Sequence, residues 1–196
     1  MHIVFASANK NKIQEISALI PSTYKLVSLE DIGITEDIPE TGLTIKDNSE
    51  IKARYVAEIL IKKNLPWGVI ADDSGLEVEA LNGEPGVYSA RYAGIQKNDT
   101  ANNKKLLDEL AKYTNRKAIF VTTITLILNN QIFFFNGEIN GTIALQPKGI
   151  KGFGYDPLFI PQGYQSTFAE LEKDVKNKIS HRAIALKKVI QYLSNI

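Results

Sequence analysis

Two adjacent carboxylates, a hydroxyl and a glycine, Asp72-Asp73-Ser74-Gly75, follow directly on the apolar run Gly68-Val69-Ile70-Ala71. Burying two like charges side by side is costly unless something positive neutralises them. A divalent cation can do this. Mg²⁺ takes one or two protein carboxylates and leaves room for substrate phosphates and water. The apolar run is expected to be a buried strand that stops at the acids and delivers them to a sheet edge, where open α/β sheets hold ligands. Successive strand residues point to opposite faces, so one Asp would face a ligand while the other supports a turn or the groups behind the ligand.

Phosphate binders should then be found elsewhere in the chain. Ser7-Ala8-Asn9-Lys10-Asn11-Lys12 lies between a strand-like run and a helical one. Its backbone N–H groups would be the unsatisfied donors of a helix start, which suits an anion, and Lys12 adds charge within the first turn. The glycines and the Gly-Lys-Ser/Thr ending of a Walker A loop are missing. Glu40-Thr41-Gly42 precedes a helix whose Asn48 and Lys52 share a face at i, i+4. Gly152-Phe153-Gly154-Tyr155-Asp156-Pro157 joins aromatic rings, which suit a nucleobase, to glycines that let backbone approach a ligand closely. Ser180-His181-Arg182 opens the last helix, with Lys176 just upstream. Each segment taken alone is also explained by a solvated helix start, a capped surface helix or a structural turn. Together they offer two anion sites at helix starts, an acidic metal site, lysines and a base platform. That set describes a nucleoside triphosphate with Mg²⁺. The adjacent acids are not the Asp-x-Asp of an aspartyl-phosphate phosphatase.

The elements that must position these residues alternate along the chain. Ile3–Ala6 and Lys25–Leu29 read as strands, separated by a helix carrying Ile13, Ile16, Leu19 and Ile20 and stopped by Pro21. Residues 30–44 read as loop. Thr44 with Asp47 is a capping-box variant for a helix running to about Lys63, with Ile51, Tyr55, Ile59 and Leu60 expected on its buried face. Leu76–Leu81 is expected to return from an Asp-Asp turn as a separate strand. Thr100 is expected to cap a helix bearing Leu106, Leu107 and Leu110, and Ser180 one bearing Ile184, Leu186, Val189, Ile190 and Leu193. Asn129-Asn130 separates the strand-like runs Ala118–Leu128 and Gln131–Asn136 as a two-residue hairpin. Alternating early elements and a late hairpin imply α/β architecture with a mixed sheet.

Composition bounds the function. The chain has 196 residues, 44% of them hydrophobic, enough for a real core in one large domain or in two lobes that share it. It has no cysteine, which excludes disulfides, zinc-thiolate sites and thiol nucleophiles and fits a reducing cytosol. The net charge of +1 argues against a general nucleic-acid binder. No signal peptide is expected from the N-terminal residues, and no apolar run approaches the ~20 residues of a membrane helix.

The ordered motifs Ser7–Lys12, Glu40-Thr41-Gly42, Asp47-Asn48 with Lys52-Ala53, Ala71–Gly75, Pro85–Tyr92, Gly152–Pro157 and Ser180-His181-Arg182 span nearly the whole chain. In them the sequence resembles the inosine triphosphatase-like nucleoside-triphosphate pyrophosphatases. The resemblance implies one domain over residues 1–196, with an elongated mixed sheet flanked by helices and an active-site cleft between two lobes. It also implies a cytoplasmic homodimer acting on dITP, ITP and XTP with Mg²⁺ as cofactor, and neither nucleic acid nor membrane as partner. By the same resemblance Ser7, Ala8, Asn9, Lys10, Asn11, Lys12 and Lys52 hold phosphates. Asp73 is the catalytic acid/base and, with Glu40, a metal-associated carboxylate. Ser74, Phe153, Gly154, Tyr155, Asp156, Lys176, His181 and Arg182 contact the nucleotide. Ser7 stands where Thr is commoner, and Pro39 where some relatives carry another acid. A nucleotide sensor without turnover and a phosphatase releasing orthophosphate are the alternative readings.

Overall fold

The structure, a computed structural model, describes residues 1–195. It is a mixed α/β fold. Chain order runs β1 (His2–Phe5), α1 (Lys10–Leu19), β2 (Lys25–Val27), α2 (Ile45–Lys62), β3 (Gly68–Val78) and β4 (Pro85–Gly86). It continues with α3 (Asp99–Leu110), β5 (Lys117–Leu128), β6 (Gln131–Ile143), β7 (Phe159–Pro161), α4 (Lys173–Ile179) and α5 (His181–Leu193). Among the described residues seven strands form one sheet in the order β2-β1-β3-β5-β6-β7, with β4 paired to β3. Pairing is parallel for β1 with β2 and β3, and antiparallel for β3 with β4 and β6 with β7. Asn129 and Asn130, both at positive φ, make the β5–β6 hairpin turn.

The chain divides into two compact units. Among the described residues the first comprises residues 1–73, 122–137 and 182–195, the second residues 74–121 and 138–181. In the first unit, strand alternation sorts the core into two faces. Ile3, Phe5 and Ile70 pack with Ile16 of α1 and with Ala185, Leu186 and Val189 of α5. Val4, Ala6, Val69 and Ala71 pack with Ala53, Val56 and Leu60 of α2. The second unit buries Leu76, Val78, Phe120 and Phe159 with Leu106 and Leu110 of α3 and with Phe168.

Several expectations need correction. The strand does not stop at the acids. β3 runs for 11 residues straight through Asp72-Asp73-Ser74-Gly75, and Leu76–Val78 is its continuation, not a returning strand. The acids are tolerated inside the strand because each is paired on its own face, as described below. The buried face of α2 is Asn48, Ser49, Lys52, Ala53, Val56 and Leu60, while Ile51, Tyr55 and Ile59 are only half-buried. Periodicity misplaced that face because two of its members are polar residues buried against carboxylates. Asn98, not Thr100, caps α3, accepting from the Ala101 N–H at 2.9 Å. α4, a short helix that the sequence pattern does not signal, ends at Ser180, which stands directly before α5 as expected.

Candidate active site

The acids lie just beyond the end of β1. Phe5 pairs with Ile70, the Ala6 N–H donates to the Ile70 carbonyl at 2.8 Å, and β1 ends there. Ser7–Asn9 lead from that point into α1. Asn9 caps the helix, its side chain accepting from the Asn11 N–H at 3.0 Å and the Lys12 N–H at 3.2 Å. The Asn9 N–H donates in turn to Ser7 Oγ at 3.2 Å. The expected row of open donors is therefore partly closed by the loop's own side chains. The amides of Ala8 and Lys10 have no protein acceptor among the described residues.

Asp73 shares the face of Val69 and Ala71 and meets α2. Asn48 Nδ2 donates to its Oδ2 at 3.3 Å, and Lys52 Nζ lies 3.5 Å from its Oδ1. The same ammonium lies 2.8 Å from Glu40 Oε1. Burial by itself would depress the Lys52 pKa, but Asp73 and Glu40 outweigh it and hold the group above its ordinary value. Gly42 brings the Glu40 loop in. Its N–H donates to Asn48 Oδ1 at 2.8 Å, and a Cβ there would sit 2.6 Å from Asp47 Cβ and 2.8 Å from the Asn48 amide. The capping box of Thr44 and Asp47 starts α2 as expected, and Ser49 Oγ ties the helix to the sheet through the Ala71 carbonyl at 3.0 Å. Thr122 Oγ1 holds the Asp73 carbonyl at 3.1 Å.

Asp72 shares the face of Ile70 and meets α1 and α5. Its Oδ2 accepts from Arg182 Nε at 2.9 Å and lies 3.0 Å from Lys12 Nζ. Arg182 Nη1 donates to Glu15. Burial would raise the Asp72 pKa, yet Lys12, Arg182 and Lys52 together hold it far below the usual carboxylate range. Burial lowers the Lys12 pKa, only partly opposed by Asp72. Arg182 serves two carboxylates of its own unit, a role that the Ser-His-Arg motif did not suggest. Glu15 was missed altogether. Its only sequence signal is an acid one turn after Lys12, beside the apolar Ile16.

In the second unit Asp156 brackets the glycine-aromatic loop. Its Oδ2 accepts from the Phe153 N–H at 2.8 Å and from Lys176 Nζ. Gly152 is at φ +76°, and a Cβ there would lie 2.0 Å from Asp156 Oδ2, so only glycine fits. Lys176 Nζ stands 4.9 Å from the centre of the half-buried Phe153 ring, within cation–π range. α3 grips Gly154 from both sides. Its N–H donates to Asp99 Oδ2 at 2.7 Å, and its carbonyl accepts from Asn103 Nδ2 at 2.9 Å. Neither α3 residue stood out in the sequence. Tyr155 is a core residue whose hydroxyl donates to the Ser89 carbonyl at 2.9 Å. The His181 ring stacks on Phe120 at 4.6 Å and 9°. Ser74 is half-buried on β3.

The first unit thus gathers Lys12, Lys52, Glu40 and Asp73, and the second gathers Phe153, Asp156, Lys176 and His181. The protein is thus of the mixed α/β class, with a carboxylate–lysine group on β3 and an aromatic loop braced by an ion pair. More particularly, the chain belongs to the Ham1 family, whose pattern matches residues 3–192. It is 50% identical over 195 residues to the dITP/XTP pyrophosphatase of Flavobacterium psychrophilum, covering 100% of both chains. Among solved structures, the HAM1 protein of Coxiella burnetii superposes with a TM-score of 0.90 at 38% identity over 100% of both chains. The Ham1 protein of Staphylococcus aureus does so with a TM-score of 0.87 at 41% identity over 100% of this chain and 99% of that one.

Proposed function

We propose that this protein hydrolyses non-standard purine nucleoside triphosphates, dITP, ITP and XTP, to the monophosphate and pyrophosphate. The observation that carries the reading is the Lys52 ammonium, 2.8 Å from Glu40 and 3.5 Å from Asp73. One cation already bridges two carboxylates there. Among the described residues no group of three His, Cys, Asp or Glu side chains could hold a metal. Such a donor set fits Mg²⁺, which completes its shell with phosphate oxygens and water and needs no protein cage. Asp73 and Glu40 would hold the ion, which when bound stabilises charge on the transferred phosphoryl and the leaving pyrophosphate.

The chain's own groups supply the remaining steps. The Ala8 and Lys10 amides with the Lys12 and Lys52 ammonium groups bind the phosphates. Asp73 takes a proton from water attacking the α-phosphorus, and the bond from that phosphorus to the bridging oxygen breaks, releasing pyrophosphate. General-base assistance of this kind is worth ~10²–10⁴-fold. Phe153 offers a face to the purine. Lys176 carries donors and no acceptor, and with His181 of the same unit it favours the C6 oxygen of hypoxanthine and xanthine over the amino group of adenine. A mismatch of that type rejects a substrate by up to ~10⁴–10⁵.

Among the described residues no helix is long and apolar enough to cross a membrane. A cytosolic homodimer belongs to the same reading, and light scattering at twice the chain mass checks the dimer. Incubation with ITP and Mg²⁺ followed by product identification tests the whole. IMP with pyrophosphate is expected. Orthophosphate would instead mark a phosphatase, and no product a sensor.

A further inference from the structure

A second carboxylate is buried beside the proposed base. Asp72 is fully buried, one residue before the proposed base, and its ion-pair partners Lys12 and Arg182 come from α1 and α5, on the face opposite Asp73's. Those contacts close a ring. Lys12 and Glu15 lie one turn apart on α1. Lys12 meets Asp72 of β3, Asp72 meets Arg182 of α5, and Arg182 returns to Glu15. Two cations and two anions alternate around it, so the ring carries no net charge of its own.

We propose that Asp72 is a positioning residue which, through this Lys12–Asp72–Arg182–Glu15 ring, fixes Lys12 and the first turn of α1 for the phosphates of the substrate. The proposal rests on the assignment of Ser7–Lys12 to phosphate binding. α1 has 10 residues, and the two that it buries are Glu15 and Ile16. A helix that short is marginal on its own and must be held by tertiary contacts. Ile16 anchors it to the core. The ring does the equivalent at the phosphate end. An apolar set could replace buried ion pairs without loss of stability, but it could not hold an ammonium group at one place. Lys12 rides on a flexible four-carbon stem, and the 3.0 Å contact with Asp72 pins its end. Neutrality also matters. A carboxylate left uncompensated here would repel the polyanion that Lys12 is to bind.

The sign of one effect separates positioning from bulk electrostatics. Asp72→Asn removes a negative charge beside the phosphate site. If Asp72 acted by charge alone, Mg²⁺–pyrophosphate would bind more tightly and KM for ITP would fall. If it positions Lys12, both weaken, by ~10-fold, with kcat changed by less than ~3-fold. Lys12→Ala should abolish the difference, because the Asp72→Asn effect runs through Lys12. In that background the second substitution should add less than ~2-fold. Affinity for Mg²⁺–pyrophosphate is read by calorimetry alongside the kinetics. A lower KM or tighter pyrophosphate binding in Asp72→Asn, or full additivity with Lys12→Ala, overturns the proposal. Should Asp72→Asn not fold, Glu15→Gln opens the ring at its far end and should weaken pyrophosphate binding ~3-fold. Unchanged affinity there also overturns it. Wild-type protein that neither binds pyrophosphate nor cleaves ITP would instead sink the underlying phosphate assignment.

Discussion

The two units handle charge in opposite ways. In the first, Lys12, Glu15, Glu40, Lys52, Asp72, Asp73 and Arg182 meet across β3 and three helices, and Lys12, Lys52, Asp72 and Arg182 each have two or more charged neighbours. In the second, the buried pair Asp156–Lys176 sits among rings, with the ammonium 4.9 Å from Phe153 and 5.6 Å from Phe168. The first arrangement suits a ligand whose charge changes along a reaction. The second suits a flat, neutral base, because the ion pair serves to shape a loop. The difference implies a division of labour. Inorganic pyrophosphate should report on the first unit alone, and purine recognition on the second.

The largest effect should come from metal removal. Excess chelator should abolish turnover, and added Mg²⁺ should restore it, since two carboxylates held by one lysine keep a net negative charge that repels a triphosphate until a further cation is bound. Persistent turnover in chelator would break the division at its base. Asp73→Asn should come next, with kcat lowered at least ~10² and KM for ITP within ~3-fold. Near-normal kcat in a folded Asp73→Asn protein, judged by circular dichroism, would place the proton acceptor elsewhere.

Gly152→Ala carries the comparison into the second unit. The added methyl would fall 2.0 Å from Asp156 Oδ2 at a φ of +76°. Overpacking of this kind costs ~1–3 kcal/mol. The carboxylate must leave the Phe153 N–H or Lys176, so KM for ITP should rise ~10-fold or more while the affinity for Mg²⁺–pyrophosphate holds. Equal losses on both ligands would show that the units do not act separately.

Much of this was legible in the sequence, for local reasons. The Thr44–Asp47 capping box, the Asn129-Asn130 turn and the opposite faces of Asp72 and Asp73 all depend on residues within a turn or a strand step of each other. What could not be read depends on distant partners. A strand was expected to stop at two acids because an unpaired carboxylate is costly to bury. It continues because Arg182 reaches Asp72 from 110 residues away and Lys52 reaches Asp73 from 21. The same partners turned a polar stripe of α2 inward, where periodicity expects Ile51 and Tyr55. Asp99 and Asn103 were invisible because their task is to hold the backbone of Gly154, 55 and 51 residues on, and backbone leaves no signature in residue types.

Asp72 also gives the first unit an acid-dependent stability. Its folded pKa lies far below the unfolded carboxylate value of ~3.9. The stabilisation from its pairing is therefore complete above pH ~4 and is lost as pH falls toward the folded value. The difference in Tm between wild type and Asp72→Asn should be constant from pH 5 to 7 and shrink below about pH 4. A difference that grows on acidification would mean that Asp72 is not ionised in the folded protein.

The smallest effect, and the finest test of the division, is Asn103→Ala. Asn103 is nearly fully buried on α3, and its Nδ2 donates to the Gly154 carbonyl at 2.9 Å. A neutral hydrogen bond of this kind is worth ~0.5–1.5 kcal/mol net. The Gly154 N–H keeps its bond to Asp99 at 2.7 Å, so the loop is loosened on one side only. KM for ITP should rise by ~3-fold, with kcat unchanged. The affinity for Mg²⁺–pyrophosphate should not move at all, because nothing in the first unit has been touched. Discrimination should fall with it. A looser loop holds the purine less tightly in one orientation, so the ITP-to-ATP ratio of kcat/KM should shrink by a similar small factor. A parallel weakening of pyrophosphate binding would mean that loosening Gly154 is felt by the phosphate-binding residues, and that base and phosphate are not recognised separately. A shift confined to the base would show that α3 governs purine choice through backbone alone, with no side chain of its own on the substrate.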